Sequence, residues 1–256
     1  GWRYRVLNYL ENKAGREAEY VLTGTKHMVS KLEGKVKGKV FRAPSGVDEH
    51  LFAFSAPDRR QLRNIWKAEA DTLVLLYVGK FGGIYYREEI ARFCKGILDQ
   101  NSNVFCVFVT PSPQVEVELL LDMAGIPKDK RIITEGKSPE EINKFISASD
   151  IGLSAIPPLE NQKYRSPVKV GEYLLGGLPY ITCRGVSEDD EVAESHKVGL
   201  VVEALNSLEA HRIYPSLIEL LSEDKEVLRS RCRTTGINYR SRRQVDLLLD
   251  EILAES

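Results

Sequence analysis

Runs of consecutive apolar residues, each followed by a stretch with apolar residues three and four apart, recur along this chain. Leu73-Val-Leu-Leu-Tyr-Val78 is the first clear run, ended by Gly79, and a helical pattern follows from about Tyr86 to Leu98. Val104-Phe-Cys-Val-Phe-Val109 is the second, closed by Thr110-Pro-Ser-Pro113. Val115 to Ala124 then reads as a helix stopped by Gly125 and Pro127. Arg131-Ile-Ile-Thr134 is a shorter strand. After it, Ser138 suits an N-cap, Pro139 the first helical position and Glu141 a capping box, with the helix running to about Ser147. Ile151 to Ile156 is a fourth strand and Val168 to Leu175 a further helix. Pro179-Tyr-Ile-Thr-Cys183 and Gly199-Leu-Val-Val202 bring the strands to six.

Near-continuous apolar strands alternating with helices predict a parallel sheet covered on both faces. Right-handed crossovers make that an α/β fold with a doubly wound, Rossmann-like sheet of six strands. Such sheets hold ligands at the carboxyl ends of their strands, where strand order reverses. The loops after Val78, Thr134 and Ile156 are therefore the places to look for chemistry. Two segments flank this core. Residues 1 to about 50 read as helix, Tyr20-Val-Leu-Thr23, helix and Lys39-Val-Phe-Arg42. Residues from about Leu208 onward are helical and polar-rich. The chain opens without Met and directly in a helical pattern, which reads as a fragment whose N-terminal part has been removed.

Composition narrows the classes. With 43% hydrophobic and 29% charged residues in 256, this is an ordinary globular chain. Lys plus Arg number 36 against 37 Asp plus Glu, and a net charge of −1 gives no reason to expect nucleic acid. No apolar run is long enough to cross a bilayer, and Gly1-Trp-Arg-Tyr-Arg5 is not a signal peptide. The four cysteines, Cys94, Cys106, Cys183 and Cys232, are scattered, without metal-ligand spacing, and read as reduced buried thiols of a cytoplasmic protein. The histidines, His27, His50, His196 and His211, have no ligand-spaced partner, so no metal site is expected. Arg229, Arg231, Arg233, Arg240, Arg242 and Arg243 form the one strong charge bias. They read as a solvated helix face, with contact to an anionic membrane surface or acidic partner as the sharper alternative.

Ser166-Pro-Val-Lys-Val-Gly-Glu-Tyr-Leu-Leu-Gly-Gly-Leu-Pro179 is the most informative stretch. A Ser-Pro pair opening a helix leaves unpaired N–H groups and a favourable dipole, a ready site for a diphosphate. Ser166 is placed either to cap that helix or to bond a phosphate oxygen. Glu172, almost two turns in and close to the face of Ser166 and Lys169, can accept two hydrogen bonds from ribose hydroxyls. Taken alone, the same residues read equally as an ordinary cap and a solvated carboxylate.

The whole stretch resembles the donor-site motif of retaining glycosyltransferases with the two-domain GT-B fold, especially family four: Ser-Pro-x-Lys-x-x-Glu-Tyr-(Leu/Met)-Ala-x-Gly-x-Pro. Other segments look like that family's signatures in the same order. They are Asn8-Tyr-Leu-Glu11 with Ala18-Glu-Tyr-Val-Leu-Thr23, Pro44-Ser-Gly-Val-Asp48, Tyr77-Val-Gly-Lys80 and Val198-Gly-Leu-Val-Val202. The resemblance implies three parts: residues 1–45 as the end of an N-terminal acceptor domain with its linker, 46–236 as the nucleotide-sugar domain, and 237–256 as a C-terminal helix returning to the first domain. It also implies roles. Lys80 would face the diphosphate, and Gly82 and Gly83 would let backbone approach the donor. Ser166, Pro167 and Val168 would present helix amides, with Lys169 alongside, and Glu172 would hold the ribose. The Thr134-Glu-Gly136 loop, through Gly136, would flank the base, although a plain strand-to-helix turn reads as well there. Lys80 also reads as a surface lysine, and the two glycines as a simple turn.

The chain departs from the family twice. Tyr164 stands where many members carry an earlier Glu near the transferred sugar, with Glu160 four residues too early. Tyr85 stands where a second basic residue is usual, leaving Arg87 or Lys163 as substitutes, or a tyrosine contact to the donor in its place. The resemblance therefore implies a hexosyltransferase-type donor domain in carbohydrate biosynthesis. It would bind a nucleoside-diphosphate sugar without metal or other cofactor and act on an unidentified sugar, lipid-linked or protein acceptor. Its place would be the cytoplasm, with peripheral contact at the inner membrane face as an option. Alternatives are a sugar-nucleotide epimerase of the same architecture, for which no acid–base pair is visible, and a non-catalytic sugar-nucleotide module. An NAD-dependent oxidoreductase fits less well, because Gly79-Lys-Phe-Gly-Gly83 is not Gly-x-Gly-x-x-Gly.

Overall fold

A computed structural model describes residues 1–136 and 138–255. The side chains of Asn8 and Glu11, part of the sequence signature above, lie outside the described set. The first elements are α1 (Trp2–Glu17), β1 (Tyr20–Thr23), α2 (Lys26–Leu32) and β2 (Lys39–Arg42). β1 and β2 pair in parallel, Tyr20 with Lys39 through Thr23 with Arg42. Thr25 caps α2 by accepting from the Met28 amide at 3.3 Å.

The main body follows as α3 (Ala56–Trp66), β3 (Leu73–Val78), α4 (Glu88–Gln100), β4 (Val104–Val109), α5 (Gln114–Met123), β5 (Arg131–Thr134) and α6 (Pro139–Ala148). It continues as β6 (Ile151–Leu153), α7 (Val168–Leu175), β7 (Tyr180–Cys183), α8 (Asp189–Ser195), β8 (Gly199–Val202), α9 (Ser207–Ser222), α10 (Lys225–Arg240) and α11 (Arg242–Glu255). β3 to β8 form one parallel sheet of six strands in the order β5-β4-β3-β6-β7-β8. Order therefore reverses between β3 and β6, as in dinucleotide-binding sheets.

Alternate residues of each strand face opposite ways, so one apolar run serves two cores. Leu75, Tyr77, Cys106 and Phe108 pack with Ile90 and Ile97 of α4, Leu121 of α5 and Leu217 of α9. Val74, Leu76, Val107 and Val109 pack with Trp66 of α3, Ile146 of α6, Leu174 of α7 and Cys232 of α10. Trp66 is stacked between Phe105 and Phe145, with ring centroids 5.8 and 6.2 Å away. All four cysteines are buried free thiols.

α7 and α10 pack closely because glycines face each other's helix. A Cβ on Gly236 would come within 2.9 Å of the Leu175 amide, and one on Gly171 within 3.0 Å of the Arg240 Cβ. The C-terminal helix begins at Arg242 rather than at residue 237. α10 runs unbroken to Arg240, and the break falls at Ser241, whose backbone bridges to Val47, between β2 and α3. The Val47 amide donates to the Arg240 carbonyl at 2.8 Å, and the Arg242 amide donates to the Val47 carbonyl at 2.8 Å. The segment between β2 and α3 and the junction between α10 and α11 are thus hydrogen-bonded to each other.

The arginine run is not the solvated face its sequence suggests. Arg240 is fully buried. Arg233 caps the end of α7 by donating to the Leu175 carbonyl at 2.6 Å, and Arg229 stacks on the Phe54 ring at 3.8 Å. Arg231 pairs with Glu223. Only Arg242 and Arg243 of the run are exposed.

Candidate functional site

The carboxyl edge of the sheet at the β3/β6 switch point is built around Tyr173 of α7. β3 and β6 stay paired only to Tyr77 and Leu153, and the Val78 amide is left without a strand partner on that side. The buried Tyr173 hydroxyl accepts from that amide at 3.2 Å and donates to the Leu153 carbonyl at 3.3 Å. Gly152 lies under its ring; a Cβ there would stand 2.7 Å from the Tyr173 ring. Burial, with the Glu172 charge nearby, pushes the Tyr173 phenol well above the usual tyrosine range, so it stays a neutral donor. Tyr173 belongs to the Glu-Tyr motif, but nothing in the sequence shows that its hydroxyl ties α7 to both strand ends.

The loop after β3 carries Lys80. Its carbonyl accepts from the Tyr77 hydroxyl, the next amide, Phe81, donates to Ser112 Oγ at 3.0 Å, and Gly82 and Gly83 take positive φ of 86° and 72°. The Tyr86 amide donates to the Ala155 carbonyl at 3.0 Å, tying this loop to the one after β6. Lys80 is exposed and pairs with no carboxylate among the described residues. Arg87, one candidate for the second basic residue, is paired with Glu116 at 2.5 Å. Tyr85 packs against the core.

α7 starts at the same edge. Pro167, not Ser166, is its N-cap, and no side chain accepts from its first turn. The Ser166 capping option is thereby corrected: its Oγ accepts instead from the Ser45 amide at 2.9 Å and from Arg240 Nη1. The first-turn N–H groups therefore have no capping side chain, and Val168 at the helix start is half-exposed. One turn further on, Glu172 is buried and accepts from Lys169 Nζ at both oxygens, 3.0 and 2.8 Å. The solvated-carboxylate reading of Glu172 therefore fails. A carboxylate has about four acceptor positions, so two remain for a ligand.

Lys80, Gly82, Gly83, Ser166, Pro167, Val168, Lys169 and Glu172 thus share the edge at the switch point. Gly136 is on the same edge but two strands away, beyond β5. A Cβ on it would stand 2.9 Å from both Ile142 and Val109, so packing of α6 alone accounts for a glycine there. Tyr164, where the earlier Glu was expected, lies in a short turn of 3-10 helix (Gln162–Tyr164). Its ring is approached by Lys31 of α2 at 4.5 Å and Lys163 at 5.3 Å.

Sequence reasoning missed a buried polar network behind Ser166. Arg240 is paired with Asp189, both fully buried, and reaches Ser187 Oγ at 3.4 Å. Ser187 holds a positive φ of 60°, rare for a residue with a Cβ, and its amide donates to the Gln162 carbonyl at 3.1 Å. Burial pushes the Asp189 carboxyl up from its ordinary value, against the pull of Arg240. The neighbouring Glu188 accepts from Arg42 Nε and, at 3.3 Å, from the Lys26 amide, joining β2 and α2 to the loop before α8. A separate cleft of about 300 Å³, lined by Leu73, Leu178, Pro179, Leu221 and Lys225, lies at the amino end of the sheet, away from all these groups.

This arrangement is the fold of the C-terminal, Rossmann-like half of GT-B glycosyltransferases, preceded by a short parallel β-pair. No protein-family model matches the chain, and no curated protein does. Solved structures do. A glycosyltransferase from Rickettsia africae superposes with a TM-score of 0.71 at 16% identity, over 95% of this chain and 65% of that one. Sucrose-phosphate synthase from Thermosynechococcus elongatus gives 0.72 at 16%, over 96% and 60%. HepE from Anabaena, in complex with UDP-glucose, gives 0.72 at 16%, over 96% and 66%. The chain therefore spans 60–66% of the length of these neighbours. No helix among the described residues is long and apolar enough to cross a membrane.

Proposed function

We propose that this chain binds a nucleoside-diphosphate sugar at the β3/β6 edge and forms the donor half of a glycosyltransferase. The observation that carries the reading is the uncapped start of α7 at the switch point, with the buried Glu172 carboxylate one turn behind it. The α7 amides and Lys80 would receive the diphosphate, Glu172 the ribose hydroxyls, and the loop through Gly136 the base. Ser166, Pro167, Val168 and Lys169 frame the phosphate position. UDP is the first nucleotide to test, because HepE was solved with UDP-glucose.

The finer reading is a retaining, hexosyltransferase-type, family-four-like enzyme. The leaving diphosphate would be stabilised by Lys80 and helix amides without a divalent ion, a mainly electrostatic form of catalysis. In this reading residues 1–45 line the acceptor side and 46–236 bind the donor. The C-terminal helix, from Arg242, returns towards the first residues. A sugar, lipid-linked or protein acceptor and a cytoplasmic place belong to the same proposal. Exposed Arg242 and Arg243 are the groups left for a peripheral membrane contact. A second reading, a binding module without turnover, draws on Tyr164 in place of the Glu and on Arg87 being neutralised by Glu116. Thermal shift with UDP-, GDP- and ADP-sugars tests binding, since a ligand of the native state raises the melting temperature. Donor hydrolysis or transfer then separates enzyme from module.

A further inference from the structure

Ser166 is where three separately positioned segments meet. It stands two residues ahead of α7, at the proposed phosphate position. Its Oγ accepts from the backbone of Ser45, in the segment between β2 and α3, and from the Arg240 guanidinium, at the last residue of α10. A serine hydroxyl has two acceptor positions and one proton to donate. With both acceptor positions filled, the hydroxyl has only its proton left to offer, and no described residue accepts it.

We infer that Arg240 is a positioning residue that acts through Ser166: with the Ser45 amide it fixes the Ser166 hydroxyl as a proton donor aimed at the donor diphosphate. The inference rests on the donor-site reading above and adds a residue and a coupling to it. The alignment holds only while the 45–47 segment stays paired with the junction between α10 and α11, because Ser45 and Arg240 reach Ser166 from the two sides of that pairing. The guanidinium itself has little freedom. It is fully buried, anchored on Asp189 and Ser187, and its own carbonyl holds the Val47 amide at 2.8 Å. Ser187 is held with a positive φ of 60° where it meets the guanidinium. A planar fork with several fixed donors can serve Ser166 and Asp189 at once, which a single ammonium centre does less well. Neutralising Asp189 alone would not require the contact with Ser166. Movement of the 45–47 segment against the end of α10 would therefore be felt at the phosphate position before any residue there changes its own fold.

The test is a double-mutant cycle on ligand affinity. Dissociation constants for UDP by calorimetry, and for uridine by NMR titration, are compared for wild type, Ser166→Ala, Arg240→Lys and the pair. Arg240→Lys keeps a cation against Asp189. The expected result is that each single change weakens UDP about tenfold, in the range of one hydrogen bond. The pair is then no weaker than the worse single, and uridine is unaffected throughout. Unchanged UDP affinity in Arg240→Lys, losses that multiply in the pair, or an equal loss for uridine overturns the coupling. If Arg240→Lys does not fold, Arg240→Gln with Asp189→Asn replaces the charge pair by a neutral one and runs the same cycle. Should GDP or ADP bind in place of UDP, that nucleotide and its nucleoside serve as probes. Wild type binding none of the three refutes the donor reading itself, whereas wild-type binding with independent losses refutes the coupling alone.

Discussion

Glu172 is the residue on which the donor reading bears most directly. Its carboxylate is buried and accepts from Lys169 at both oxygens, at 3.0 and 2.8 Å, which leaves two of about four acceptor positions. Replacing it with Ala is expected to weaken nucleotide binding by about 1.5–3 kcal/mol, the range for hydrogen bonds to a charged group. Glu172→Gln, which keeps one acceptor oxygen, is expected to lose less. Calorimetry on folded variants checks both, and unchanged affinity in Glu172→Ala rules out the ribose role. Glu172 and Lys169 were legible in the sequence because they share a helix and a motif. Arg240 was not: it lies in an arginine-rich run that reads as a surface. Its partners Ser166 and Asp189 are 74 and 51 residues away in sequence, so only folding brings them together.

At the scale of elements, one hydroxyl ties α7 to both strand ends at the switch point. Tyr173→Phe keeps the ring over Gly152 and removes the partner of the buried Val78 amide. A stability loss of about 1–3 kcal/mol follows from leaving that group unsatisfied. It should show as a lower urea midpoint with an unchanged slope, and a variant as stable as wild type would refute the role. The strands themselves were plain in the sequence, since each apolar run feeds two cores and leaves no alternating pattern to misread. Helix ends were less plain. Ser166-Pro167 looks like a serine cap, but Ser166 is drawn away by Ser45 and Arg240, and Pro167 takes the cap position instead. The break at Ser241 was hidden for a related reason. Its cause is a bridge to Val47, not a Gly or Pro in the chain.

For the whole molecule, the main sheet has two complete cores, whereas β1 and β2 form a sheet of only two strands. Several apolar side chains of α1, among them Trp2, Leu7 and Tyr9, are exposed. The proposed donor side therefore has complete cores of its own. Acceptor orientation, which can be worth roughly 7–11 kcal/mol of barrier, has no comparable framework among the described residues. Residues 1–256 on their own are expected to bind donor and hydrolyse it slowly at most, without transfer to the natural acceptor. Assay beside a version carrying an added N-terminal α/β half checks this, and equal transfer rates would contradict it. The phosphate site proposed here uses Lys80 and the α7 amides, so EDTA should leave nucleotide binding intact. Loss with EDTA and recovery with Mg²⁺ or Mn²⁺ would overturn that site. The central claim, that the β3/β6 edge holds a nucleoside-diphosphate sugar, is tested most directly by calorimetric titration of this chain with UDP-, GDP- and ADP-glucose in EDTA, repeated on Glu172→Ala. The account predicts saturable one-site binding of at least one of them, weakened at least tenfold by the substitution. No binding of any of the three, or binding that Glu172→Ala leaves untouched, would contradict it.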